Sequence, residues 1–173
     1  FEAFAKADTI VFDKTGTLTE AQPKLARVIP TDGWSEDEVL RFAACLEEHF
    51  PHPVARAVVA AAQERGLEHR ERHAAVEYIV AHGIASALDG KRAVIGSAHF
   101  VFEDEHAHLD PETLSRVETE MEGLSPLFLA VDGEVVGVLG IEDPLKPGVK
   151  ESIAELRNLG FKHIVMLTGD SKR

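Results

Sequence analysis

Residues Asp13 to Thr19 read Asp-Lys-Thr-Gly-Thr-Leu-Thr. The aspartate closes the run Thr9-Ile10-Val11-Phe12, and a lysine, a glycine and three hydroxyls follow within six residues. These groups suit phosphoryl transfer. A carboxylate at a strand end attacks phosphorus, while nearby donors and Mg2+ hold the phosphoryl oxygens. Taken alone, the same residues also make a turn that simply ends a strand, so the surrounding elements decide between the two readings.

Those elements alternate. Ala7 to Phe12 reads as a buried parallel strand, and Lys24 to Ile29 as a second strand. Thr31-Asp32-Gly33 is a turn. Ser35 caps a helix, with Glu38 three residues on completing a capping box. Val39, Ala43, Leu46 and Phe50 share one face of that helix, and Pro51 interrupts it. Pro53 opens a second helix with Val54, Ala57, Val58 and Ala61 inward and Gly66 as its stop.

A β-rich stretch follows. Val76 to Val80 is a strand, and Ile84 to Leu88 and Arg92 to Ile95 flank the hairpin turn Asp89-Gly90-Lys91. Asp110-Pro111 starts a short helix that ends at Gly123. Leu127 to Val131 and Val135 to Ile141 form a hairpin around Asp132-Gly133. Pro147 opens a helix with Val149, Ile153 and Leu156 on one face, closed by Gly160. Ile164 to Leu167 is a last buried strand, and Thr168-Gly169-Asp170 follows it.

This order predicts an α/β fold. A partial doubly wound sheet forms from the two ends of the chain, with an inserted α+β domain of antiparallel sheet and helices between them. The expected segments are 1–21, 22–141 and 142–173. In open α/β sheets ligand groups collect at the carboxyl ends of strands. Asp13 and Thr168 each follow a strand directly, so one sheet would bring them together.

Composition narrows the classes. The chain has 173 residues, 45% of them hydrophobic, and a net charge of −12. That balance carries no electrostatic footprint for nucleic acid. One cysteine, Cys45, excludes an internal disulfide. No apolar stretch approaches the ~20 residues that a membrane-crossing helix needs. Nine histidines raise the question of a metal. His69 and His73 have i,i+4 spacing, and His99, His106 and His108 sit among carboxylates, but they form no closed ligand set, and solvated surface histidines are the simpler reading.

The seven residues from Asp13 match the phosphorylation motif of P-type ATPases, and further motifs resemble the heavy-metal-transporting branch of that family in the family's order. Leu167-Thr168-Gly169-Asp170 is similar to the second phosphate-contacting motif of the wider haloacid dehalogenase superfamily. Asp143-Pro144-Leu145-Lys146-Pro147 resembles the hinge segment that leads back into the phosphorylation domain, with Asp143 and Lys146 at its charged positions. His52-Pro53-Val54-Ala55-Arg56-Ala57-Val58 resembles the branch's His-Pro motif, and Glu47 lies five residues earlier. His82-Gly83-Ile84 resembles the end of its Gly-X-Gly turn, and Gly90 to Gly96 its later hairpin.

The resemblance implies roles. Asp13 is the nucleophile, Lys14 screens phosphate charge and Thr168 holds the phosphoryl group. Asp13 and the backbone carbonyl of Thr15 bind Mg2+. Glu47, His52, Gly83 and Gly96 bind ATP. It also implies a cytoplasmic domain of an integral membrane protein, whose other partners are the transmembrane and actuator domains of the same pump and a heavy-metal cation as transported substrate. The chain is expected to be a piece of a longer protein, with little turnover alone.

Four residues depart from the pattern: Phe50 and Pro51 where Ser-Glu is common, Ala81 for the first glycine of Gly-X-Gly, and Ser97 where copper pumps often have Asn. Two other classes stay open. A soluble haloacid-dehalogenase-type phosphatase would need an acid/base aspartate where Thr15 stands. A nucleotide-binding module without catalysis of its own is the other.

Overall fold

The structure, a computed structural model, describes residues 6–31, 33–67, 77–79, 83–88 and 90–167. The chain divides into two compact units, Phe1–Pro23 with Asp143–Arg173, and Lys24–Glu142.

In the first unit, β1 (Thr9–Asp13) and β8 (His163–Leu167) pair in parallel, with Thr9 opposite His163 and Asp13 opposite Leu167. The expected strand from Ala7 starts two residues later. The N–H groups of Lys162 and His163 both donate to the carbonyl of Asp8, at 2.8 and 3.0 Å, and the ladder begins there. The last helix, α4 (Val149–Asn158), also differs from expectation at its start. Pro147 does not open it. Gly148 intervenes at φ 82°, a left-handed conformation that ends any helical path from Pro147 and makes Gly148 the N-cap. The expected inner face, Val149, Ile153 and Leu156, is half-buried.

The second unit is a six-stranded antiparallel sheet in the order β2-β7-β6-β5-β4-β3. Its strands are β2 (Lys24–Pro30), β3 (Glu77–Ile79), β4 (Gly83–Leu88), β5 (Lys91–Gly96), β6 (Ser125–Val131) and β7 (Glu134–Glu142). Strand alternation gives the sheet two apolar faces. Val28, Ile84, Ala93, Ile95, Leu129 and Leu139 pack with residues of α1 (Glu36–Glu47) and α2 (Pro53–Glu64). Ile29, Ala85, Val94, Phe128 and Val138 pack with Phe100, Val101, Val117 and Met121, which belong to a helical turn at His99–Asp104 and to α3 (Pro111–Glu120) and its end. Glycines in β7 allow both layers to come close. A Cβ at Gly137 would stand 2.6 Å from Cγ2 of Val39 in α1, and one at Gly140 would stand 2.6 Å from Sδ of Met121.

The ends of α1 and α2 matter most for the site. Ser35 Oγ accepts from the Glu38 N–H at 3.2 Å, and Glu38 returns a bond to the Ser35 N–H at 2.8 Å, so the capping box forms as expected. Glu36, Asp37 and Glu38 place negative charge at the N-terminal dipole. Val39, Ala43 and Leu46 are fully buried. The helix stops at Glu47, where the Phe50 N–H turns back to the Glu47 carbonyl at 3.0 Å, and Pro51 brings no N–H to continue it. Pro53 then occupies the first turn of α2, which ends before Gly66 at φ 67°.

The β6–β7 turn carries positive φ at both central residues, Asp132 (54°) and Gly133 (81°), as a two-residue hairpin favours. In the β4–β5 turn Gly90 has φ 79°. Asp89, Asp32, Val76 and Val80 lie outside the described residues. The helical turn at His99–Asp104 has no counterpart in the sequence expectations. Among the described residues, no helix is long and apolar enough to cross a membrane.

Candidate functional site

Asp13 is the last residue of β1, exposed at the carboxyl end of the parallel pair. The chain then leaves the sheet through a tight turn. Thr15 keeps an extended backbone at φ −75°, ψ 122°, and Gly16 takes φ 79°, ψ −17°. A side chain at Gly16 would be strained there, which explains glycine at the fourth position of the motif. The Thr19 N–H closes the turn on the Lys14 carbonyl at 3.1 Å.

Residues from the far end of the chain hold this turn. Thr19 Oγ1 donates to Asp143 Oδ2 at 2.5 Å and accepts the Gly16 N–H at 3.1 Å. Lys146 Nζ donates to the Gly16 carbonyl at 2.6 Å. Backbone bonds run alongside, from the Glu20 N–H to the Pro144 carbonyl and from the Lys146 N–H to the Leu18 carbonyl, both 2.9 Å. Thr19 is buried at 2% exposure. Sequence reasoning placed Asp143 and Lys146 in a hinge segment but did not link them to the motif. The separation of 124 residues between Thr19 and Asp143 leaves no local signal of that contact.

The Asp13 side chain is exposed at the head of this turn, and Thr15 beside it keeps its extended backbone. Among the described residues, no group of three His, Cys, Asp or Glu side chains could enclose a metal. Two surface histidines lie beside carboxylates, His108 with Glu134 at 3.1 Å and His99 with Asp104 at 3.9 Å. His69, His73, Ala81, His82, Thr168, Gly169 and Asp170 lie outside the described residues.

The four residues expected at a nucleotide belong to the second unit. Glu47 ends α1 and is only 6% exposed. Burial alone pushes its carboxyl up to about 7, from an ordinary 4.5. Five residues on, His52 is the exposed N-cap of α2, its Nδ1 accepting the Val54 N–H at 3.3 Å. The ring's Nδ1 is therefore the unprotonated acceptor, and Nε2 is left for another partner. Gly83 and Gly96 are direct partners across β4 and β5. Ser97 is engaged locally, its Oγ accepting the Phe100 N–H at 3.3 Å and starting the helical turn. An open cleft of about 310 Å³ between α1 and α2 is lined by Ala44, Glu48, His49, Val59, Ala62, Gln63 and Leu67. None of the four lines it.

Residues 7–173 match the family model described as haloacid dehalogenase-like hydrolase. The chain is 43% identical over 173 residues to a protein of Legionella pneumophila named copper-exporting P-type ATPase, covering 99% of this chain and 23% of that protein. Its structure is similar to that of a zinc-transporting PIB-type ATPase in the E2.Pi state, with TM-score 0.69 and 30% identity over 96% of this chain and 26% of that one. It is also similar to the N-domain of HMA8, a copper-transporting P-type ATPase, with TM-score 0.62 and 25% identity over 69% of this chain and 99% of the other. The chain thus spans less than a quarter of the length of the Legionella relative.

Proposed function

We propose that this chain, which belongs to the haloacid dehalogenase-like hydrolase family, is the ATP-binding and phosphorylated part of a heavy-metal cation-transporting P-type ATPase. The observation that carries the reading is Asp13. It stands exposed at the carboxyl end of a parallel strand pair, at the head of a turn built by the motif itself.

In this reading an oxygen of the Asp13 carboxylate attacks the γ-phosphorus of ATP. The bond from that phosphorus to the β–γ bridging oxygen breaks and ADP leaves. Asp13 then carries an acyl phosphate, which water later hydrolyses to inorganic phosphate and the free carboxylate. Lys14 offsets charge on the phosphoryl oxygens, and Thr168 donates its hydroxyl to them. Mg2+, held by the Asp13 carboxylate and the Thr15 carbonyl, supplies further charge compensation when bound; the exposed carboxylate and extended Thr15 backbone suit such a cation.

Segments 1–21 and 142–173 form the phosphorylation domain and 22–141 the nucleotide-binding domain. In the second of these, Glu47 and His52 contact the nucleotide on its adenine side, and Gly83 and Gly96 line the pocket. Hydrolysis of the acyl phosphate drives movement of the cation in the complete membrane-bound pump, whose actuator and transmembrane domains are partners of this chain on the cytoplasmic side. Support for the pump over other hydrolases comes from the named relatives and from Thr15, which stands where a soluble phosphatase of the family would need a second aspartate.

The test is calorimetric titration of this chain with ATP, ADP and a non-hydrolysable ATP analogue, with and without Mg2+. Binding that needs little Mg2+ and weakens in Glu47→Gln supports the nucleotide site. No binding at millimolar ATP would overturn that half of the reading.

A further inference from the structure

We propose that Asp143, acting through the Thr19 hydroxyl, is a positioning residue that sets the geometry of the Asp13 turn for phosphoryl transfer. This rests on the reading of Asp13 as the phosphorylated residue.

Thr19 has a single hydroxyl proton, and the structure commits it to Asp143 Oδ2 at 2.5 Å. That is the length of a charge-assisted O–H to carboxylate bond. With its proton spent, the oxygen has only lone pairs to offer, and one of them accepts the Gly16 N–H at 3.1 Å. The carboxylate therefore fixes the direction of the relay, because a side chain that donated to Thr19 would turn the hydroxyl around. The other polar group of Gly16, its carbonyl, is held by Lys146 Nζ at 2.6 Å. Gly16 is thus fixed at both its N–H and its C=O while its backbone sits at φ 79°. It lies three residues after Asp13 and directly after Thr15, so its orientation sets where the Asp13 carboxylate and the Thr15 carbonyl stand.

One further observation favours a positioning role over simple packing. Asp143 Oδ1 is buried and has no hydrogen-bond partner among the described residues. An unpaired carboxylate oxygen is a costly way to fill space, and a neutral side chain would pack Thr19 without that desolvation penalty. What the Asp143 side chain supplies at this position is an acceptor that sets the direction of the Thr19 hydroxyl. Small errors in the placement of a nucleophile slow a reaction steeply, while substrate binding elsewhere is left intact.

The experiment uses the full-length membrane protein that carries this chain, phosphorylated with γ-labelled ATP and acid-quenched on a rapid-mixing timescale. Thr19→Val removes the hydroxyl at nearly constant shape. Asp143→Asn keeps the shape, removes the charge and offers an amide N–H that competes with its oxygen for the Thr19 hydroxyl. Thr19→Ser restores the hydroxyl. The expected result is a phosphorylation rate at saturating ATP that falls about ten- to a hundred-fold in Thr19→Val and Asp143→Asn. The ATP concentration for half-maximal rate is expected to stay within about two-fold, and Thr19→Ser to recover most of the rate. The double variant Thr19→Val/Asp143→Asn is expected to be no slower than either single one.

Labelling of the variants at the wild-type rate, or a loss confined to the ATP dependence, overturns the proposal. So does a Thr19→Ser variant as slow as Thr19→Val. If Thr19→Val fails to fold, Asp143→Asn and Thr19→Ser still decide. If the wild-type protein forms no acid-stable label on Asp13, the functional reading itself fails and the proposal goes with it. A labelled wild type with unaffected variants removes the proposal alone.

Discussion

A Cβ placed on Gly83 would stand 2.5 Å from Cδ1 of the Phe100 ring, and it would also clash with the carbonyl oxygen of Ile95. Phe100 is fully buried under the sheet. The glycine at the start of β4 is therefore required by packing across β5, whatever ligand approaches it. Gly83→Ala is expected to destabilise the second unit by about 1–3 kcal/mol through overpacking. Urea denaturation of the chain measures this. Gly83→Ala/Phe100→Leu should recover part of the loss, and recovery of none would contradict the packing account. A fall in nucleotide binding in Gly83→Ala alone would then report a disturbed sheet before it reported a lost ligand contact.

His52 is expected to act in two separable ways. As N-cap of α2 it satisfies the Val54 N–H through Nδ1, so His52→Ala should cost about 0.5–1 kcal/mol. His52→Asn supplies a better cap and should hold stability. If the ring also contacts a nucleotide, both variants lose affinity while only one loses stability. Affinity that follows stability, falling in His52→Ala and returning in His52→Asn, would assign the histidine to capping alone.

Glu47 makes the second unit sensitive to pH. Its folded pKa is raised to about 7 by burial. The proton is therefore bound more tightly in the folded chain than in the unfolded one. The associated stability is fully present below the unfolded pKa of about 4.5 and is lost as pH rises through about 7. The size of this term is about 3 kcal/mol from the shift. Glu47→Gln should be little changed near pH 4 and more stable than wild type near pH 8, by denaturant midpoints at each pH. Glu38 and Asp110 titrate in the opposite sense. Their carboxyls are lowered chiefly by hydrogen bonds at the caps of α1 and α3, so their contributions are lost as pH falls. Comparing Glu47→Gln with wild type at the same pH cancels them. Equal stabilities of the two proteins at pH 8 would contradict the burial account.

The long elements were legible in the sequence because each carries its own local signal. The Ser35–Glu38 capping box, Pro53 at the head of α2 and the Asp132-Gly133 turn all form where residue chemistry places them. The helical turn at His99–Asp104 was not legible, since six residues show no period, and its buried Phe100 and Val101 read equally well as loop or strand. The start of α4 was misread because Pro147 is a common first helical residue, whereas the left-handed backbone of Gly148 overrides it. In the site, Asp13 and its turn were legible from residue types alone. The tie from Thr19 to Asp143 was not, because it depends on a fold that brings together residues 124 positions apart. The low exposure of Glu47 was hidden for a similar reason: a glutamate at a helix end reads as solvated until its neighbours are placed.

The central claim is that Asp13 accepts the γ-phosphoryl group of ATP. The most direct measurement is acid-quenched labelling of the full-length protein with γ-labelled ATP, followed by mass-spectrometric mapping of the phosphorylated peptide. The account predicts an acid-stable, hydroxylamine-sensitive label on the peptide containing Asp13, absent in Asp13→Asn. A label on another residue, or one that persists in Asp13→Asn, would contradict it.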